Sequence, residues 1–126
     1  MIIDDESALS LLLKWLLKDE AYQVFTANSF EEAVNLLREN SVHLVLLDLI
    51  MPDVDGFEML KYLQNDKKLR EIPVIVVSAK YDRETIEASL RKGALDYMVK
   101  PYNTRDLSNK IGVILNTYLT PNMETN

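Results

Sequence analysis

Three aspartates, a serine and a lysine each stand at the end of an apolar run, and their types suit one chemistry. Asp4 and Asp5 follow Met1–Ile3, and Asp48 follows the run from Val42 to Leu47. Ser78 follows the run from Val74 to Val77, and Lys100 follows the run from Leu95 to Val99. Three carboxylates gathered in one place repel one another unless a cation holds them. Mg2+ is hard and oxygen-seeking, and it keeps several waters beside one or two carboxylates. Asp5 and Asp48 can bind such an ion directly, with Asp4 acting through water. The charged ammonium of Lys100 is no metal ligand. It suits a clamp on an incoming anion, and phosphate is the natural one. The Ser78 hydroxyl can donate to the same oxygens. The set reads as phosphoryl transfer to a carboxylate nucleophile, positioned by a metal and a lysine.

Residues this far apart in sequence meet only if the fold gathers the ends of the apolar runs. The intervening segments have helical character. Leu9, Leu12, Leu13, Leu16 and Leu17 recur at helical spacing. Tyr22 to Ala27 alternates like a strand. Asn28 and Ser29 can start a helix, with Glu31 and Glu32 in its first turn and Ala33, Val34, Leu36 and Leu37 along it. Val42 to Leu47 is almost wholly apolar, as a strand covered on both faces would be. A loop with Met51, Pro52, Asp53 and Gly56 precedes a helix bearing Phe57, Leu60 and Leu63. Pro73 opens the next strand, Asp82 can cap a helix running to Lys92, and Gly93 can end it. After the fifth strand, Asn103 or Thr104 can cap a last helix with Leu107, Ile111, Ile114 and Leu115 inward. Five strands alternating with five helices predict an α/β fold, a doubly wound five-stranded parallel sheet. In such sheets ligands bind beyond the carboxyl ends of the strands, which is where the candidate residues stand.

Composition narrows the function further. The chain has 126 residues, enough for one domain, and 48% of them are hydrophobic, enough for a packed core. Fourteen basic residues against twenty acidic ones give a formal charge of −6, which argues against direct nucleic-acid binding. The absence of cysteine excludes disulfides and thiol chemistry, and agrees with a reducing, cytoplasmic setting. The start, Met-Ile-Ile-Asp-Asp-Glu, is acidic where a signal peptide would be basic. The greasiest stretch, Ala8 to Leu17, contains Ser10 and Lys14 and falls short of the roughly 20 apolar residues of a membrane span. Thr120 to Asn126 reads as a tail or the start of a linker.

In order along the chain stand Asp4-Asp5, Asp48-Leu-Ile-Met51-Pro52-Asp-Val-Asp-Gly56, Ser78-Ala79 and Lys100-Pro101. Together these motifs resemble a two-component response-regulator receiver domain, over residues 1–119. The resemblance implies a flavodoxin-like sheet of strand order 2-1-3-4-5. It implies that Asp48 accepts a phosphoryl group, and that Asp4, Asp5, Asp48 and the backbone carbonyl of Ile50 hold Mg2+. Lys100 would pair with the phosphoryl group and Ser78 would hydrogen-bond it. Tyr97 would be an aromatic switch that turns inward when Ser78 moves. The donor would be a histidine kinase or a histidine phosphotransfer protein. Catalysis would be confined to the domain's own phosphorylation and dephosphorylation, at a rate influenced by Ile50 and Lys80. The output domain or target stays open. So does a phosphorylation-dependent dimer through Asp96, Asp106 and Lys110, since Ile86 stands where such dimers carry a basic residue. Leu11 and Trp15 share a second face of the first helix, near the expected docking surface of the donor.

Two further expectations concern stability. Only Met1, Ile2 and Ile3 precede Asp4, fewer than receivers usually carry, as in a chain clipped or started late. The first strand should be short and the domain less stable for it. Lys100 is expected to act on the phosphoryl group and not on folding. Other readings fit less well. A receiver that works without phosphorylation would not need the complete site. A haloacid-dehalogenase-type hydrolase carries its nucleophile after the first strand. A flavodoxin needs a phosphate-cradling loop where this chain has Asp-Asp-Glu. His43, the single histidine, falls at the far end of the third strand.

Overall fold

The computed structural model describes residues 1–4, 22–51 and 55–119. Its elements are strand β1 (Ile2–Ile3), strand β2 (Thr26–Ala27), helix α1 (Phe30–Glu39), strand β3 (Val45–Leu47) and helix α2 (Gly56–Asn65). A 3-10 turn (Leu69–Glu71), strand β4 (Val74–Ser78), helix α3 (Arg83–Arg91), strand β5 (Asp96–Val99) and helix α4 (Thr104–Leu119) follow. The helix expected over Leu9–Leu17, with Leu11 and Trp15, lies outside the described residues, as does the tail 120–126.

Each described helix after the first strand pair starts where a side chain supplies an acceptor for its free N–H groups. Ser29 Oγ accepts from Glu32 N–H, and Asp55 accepts from Phe57 N–H. Asp82 accepts from both the N–H and the hydroxyl of Thr85. At α4 the choice falls on Asn103, whose Oδ1 accepts from Arg105 and Asp106 N–H at 2.9 and 3.2 Å. These caps fix the helix starts, and helix periodicity then turns the apolar faces to the sheet. At the far end of α3, Gly93 takes φ 112°, a left-handed conformation open to glycine.

All strand pairs are parallel, in the order β2-β1-β3-β4-β5. The expected order is therefore present, and its crossovers wind helices onto both faces. Period-two alternation divides the strands between two cores. Ile3, Val45, Leu47, Val74 and Val76 face one core, which Met59, Leu60 and Leu63 of α2 complete. Ile2, Leu46, Ile75 and Val77 face the other, closed by Leu107, Ile111 and Ile114 of α4.

The strands are shorter than the apolar runs predict. Tyr22–Phe25 and Val42–Leu44 are not strand, because paired structure needs a partner. β1 offers two residues, in register with Thr26–Ala27 on one side and Leu46–Leu47 on the other. Central β1 is thus as short as the sequence suggests. β4 gains Ser78, whose carbonyl accepts from Lys100 N–H at 2.8 Å.

Candidate functional site

The carboxyl ends of the strands bring Asp4, Asp48 and Lys100 into direct contact in one crevice, with Ser78 at the end of the neighbouring strand. Asp4 follows β1 and Asp48 follows β3, and each is 5% exposed. The sheet fixes both backbones: Asp4 N–H donates to Ala27 C=O at 3.0 Å, and Asp48 N–H to Ile3 C=O at 2.9 Å. Lys100 follows β5, before a cis bond to Pro101. Its ammonium donates to Asp4 Oδ2 at 2.9 Å and to Asp48 Oδ2 at 2.8 Å. Burial by itself would lower the lysine's pKa. The hydrogen bonds it donates to Asp48 and Asp4 outweigh this and hold the ammonium well above the usual lysine range.

The Asp48 carboxylate is oriented from two sides. Oδ2 meets Lys100, while Oδ1 accepts the Ile50 N–H at 3.0 Å. The Ile50 side chain points outward and is 49% exposed. Gly56 keeps this turn closed. Its N–H donates to Leu49 C=O at 2.9 Å, and a Cβ on it would sit 2.3 Å from the Leu49 Cα. The sequence marks Gly56 only as a motif glycine. The reason for it is this backbone approach beside Asp48.

Two buried carboxylates share one ammonium, so the crevice keeps an excess of negative charge. With hard oxygen donors on separate strands, that set fits a divalent cation of the Mg2+ kind. Asp5, the further expected ligand, lies outside the described residues, as does the loop 52–54.

Ser78 is fully buried at the end of β4, and its Oγ accepts from Lys80 N–H at 3.3 Å. The Tyr97 hydroxyl donates to Lys80 C=O at 2.7 Å. The backbone of one residue in the loop after β4 is thus held on both sides of its Cα by the two expected switch residues. Burial raises the Tyr97 pKa, an interaction with Ser78 opposes this, and the charges of Asp82 and Asp48 add to it. Lys80 was singled out in the sequence for its side chain. A backbone acceptor has no signature in side-chain chemistry, so its part in this link could not be read there.

Other candidates fall elsewhere. His43 is exposed before β3, at the opposite end of the sheet. Asp96 on β5 pairs with Lys110 on α4, with Asp106 one turn earlier on that helix. Among the described residues no helix is long and apolar enough to cross a membrane.

The sequence profile of the family described as "Response regulator receiver domain" matches residues 1–112. The chain belongs to the response regulator receiver family. As a receiver domain it is a module of two-component signalling. The response regulator GtcR of Aneurinibacillus migulanus is 40% identical over 103 residues, 82% of this chain and 41% of that protein. The transcriptional regulatory protein SrrA of Staphylococcus aureus is 32% identical over 115 residues, 91% of this chain and 46% of that protein. The receiver chain thus spans less than half the length of these curated relatives. Among solved structures, a CheY-like receiver domain protein from Methanospirillum hungatei JF-1 superposes with a TM-score of 0.86. It is 30% identical, over 95% of this chain and 94% of that one.

Proposed function

We propose that this receiver domain is a phosphorylation switch whose acceptor is Asp48. The observation that carries the reading is the Asp48 carboxylate itself. It is buried, tied through one oxygen to a backbone N–H, and joined through the other to an ammonium that can follow an incoming anion. In the reaction, an Asp48 oxygen forms the new O–P bond. The P–N bond to the donor histidine breaks, and its electron pair returns to the imidazole. Lys100 exchanges its contact with Asp48 for one with the phosphoryl oxygens, and Ser78 Oγ donates to another of them. Asp4, Asp5, Asp48 and the Ile50 carbonyl would hold Mg2+, which when bound neutralises charge on the phosphoryl oxygens.

The relay follows from the Lys80 backbone. The added charge of about −1.5 to −2 on Asp48 draws the Ser78 hydroxyl toward it. That removes the acceptor of Lys80 N–H and frees the loop, and Tyr97 moves with the Lys80 carbonyl. The donor is a histidine kinase or a histidine phosphotransfer protein, and the domain catalyses only its own phosphorylation and dephosphorylation. We place it in the cytoplasm, take residues 1–119 as the receiver unit, and leave the output domain or target unnamed. A phosphorylation-dependent dimer through α3, β5 and α4 is a second reading, favoured by the charged group Asp96, Asp106 and Lys110. Sedimentation with and without beryllofluoride tests it, and an unchanged mass at high concentration would exclude it.

The test of the main reading is intact mass after incubation with Mg2+ and phosphoramidate. A single phosphoryl adduct should form and should be lost in Asp48→Asn. An adduct that persists in Asp48→Asn would refute the assignment.

A further inference from the structure

Charge is unevenly spread over this acidic chain. Residues 61–92 carry eight Lys and Arg against five Asp and Glu, a net of +3, which leaves −9 for the remainder of the −6 total. Six of these cations are exposed: Lys61 on α2, Lys67, Lys68 and Arg70 around the 3-10 turn, and Arg91 and Lys92 at the end of α3. Two contacts draw these elements together. The Gln64 side chain packs over Gly93, where a Cβ would come within 2.4 Å of it. The Lys92 ammonium stands 5.6 Å from the centre of the Phe57 ring. Phe57, Lys61 and Gln64 are spaced as neighbours on one helical face. Lys61 therefore lies between the two contacts, on the side of α2 that meets the end of α3. The helices of a parallel sheet return against its strands, so α2 and α3 both end away from the Asp48 crevice. Lys67, Lys68 and Arg70 continue the basic ridge there.

Carboxylates do little to cancel it. Among the described residues, none of the six cations has an ion pair within 4 Å. Asp66 turns its carboxylate to the N–H groups of Lys68 and Leu69, at 2.8 and 3.1 Å. We propose that this ridge is a docking surface for a short acidic segment of a protein partner. Charge complementarity selects the occupant. A long polyanion or an anionic bilayer would also meet the strongly acidic remainder of the domain and be repelled. A short segment meets the ridge alone, because at physiological salt charges beyond about 8 Å are largely screened.

The test uses the 126-residue protein and a fluorescein-labelled glutamate-rich peptide, read by anisotropy across a salt series. One variant is Lys61→Glu/Arg91→Glu/Lys92→Glu. Its control, Arg38→Glu/Arg83→Glu/Arg105→Glu, changes net charge equally elsewhere. Circular dichroism checks both, and Lys61→Gln/Arg91→Gln/Lys92→Gln, with Arg38→Gln/Arg83→Gln/Arg105→Gln as its control, replaces the pair if the first fails to fold. Binding should be salt-sensitive and weaken by about tenfold in the ridge variant, since each reversal removes a surface attraction and adds a repulsion. The control should bind like the parent. Equal weakening in both variants, or no binding by the parent protein, would overturn the proposal. So would tighter binding of a single-stranded oligonucleotide or of phosphatidylserine vesicles than of the peptide.

Discussion

Replacing Lys100 by methionine keeps an unbranched side chain and deletes the charge. In the folded domain its ammonium touches Asp4 and Asp48, whose side chains are 7% and 5% exposed, and its own side chain is 12% exposed. Removing it strands two carboxylates that water barely reaches. Breaking a buried pair by removing one partner costs about 3–5 kcal/mol. The slight access of water favours the lower end, near 3 kcal/mol, or about 10 °C in melting temperature for a domain of this size. Chemical denaturation in metal-free buffer measures it. Two controls separate charge from packing. Asp48→Asn in the Lys100→Met background removes one stranded charge, so the double variant should be more stable than Lys100→Met alone. Mg2+ at a hundredfold excess over its dissociation constant should return about 2.7 kcal/mol. A loss under about 1 kcal/mol, unchanged by Asp48→Asn and by Mg2+, would show that the crevice is not charge-compensated in this way. A loss near 3 kcal/mol would give Lys100 a part in folding beside the one we propose for it in phosphorylation.

The same lysine sets an alkaline limit. A raised pKa in the folded state gives stability that is complete below the unfolded value and lost as pH rises through the folded one. The gap between parent and Lys100→Met in urea denaturation should therefore narrow above about pH 10.4. Gly56→Ala drives a methyl group against the Leu49 backbone and should cost about 1–3 kcal/mol. It should also slow phosphorylation by phosphoramidate, because the displaced turn carries Asp48 and Ile50; a stable, fully active variant would contradict the contact. Tyr97→Phe removes the donor to Lys80 C=O and should cost about 0.5–1.5 kcal/mol. Phosphoryl uptake should stay near the parent rate while the response of the α3–β5–α4 face, read by amide chemical shifts, is reduced. An unaltered response would remove Tyr97 from the switch.

What the sequence discloses depends on how each feature is encoded. The parallel sheet and the crevice are legible because apolar runs ending in Asp4, Asp48, Ser78 and Lys100 mark strand ends that parallel winding brings together, while the strand order comes from the family resemblance those motifs carry. The caps at Ser29 and Asp82 are local and were readable as residue types. The bridge from Lys100 to Asp4 is less accessible, since it joins residues 96 positions apart and depends on where a long side chain settles. Strand lengths are overestimated at Tyr22–Phe25 and Val42–Leu44. An apolar run reports burial, whereas pairing also requires a neighbour in register, and β1 provides only two paired residues. The Gly56 contact and the Lys80 link involve backbone atoms that every residue carries, so no residue type announces them.

The hydrogen bond from Asp48 N–H to Ile3 C=O ties the amide of the proposed acceptor to the shortest central strand. That amide is therefore a built-in gauge of whether β1 is seated. Its exchange with deuterated solvent requires β1 to lift from β3, and the same opening would carry Asp4 away from Lys100. Exchange at this one amide should then report local opening of the crevice. Slow exchange at Val76, deep in β4, would mark global unfolding instead. Where the Asp48 amide exchanges faster than that of Val76, its rate divided by that of an unprotected amide would give the fraction of time the crevice stands open.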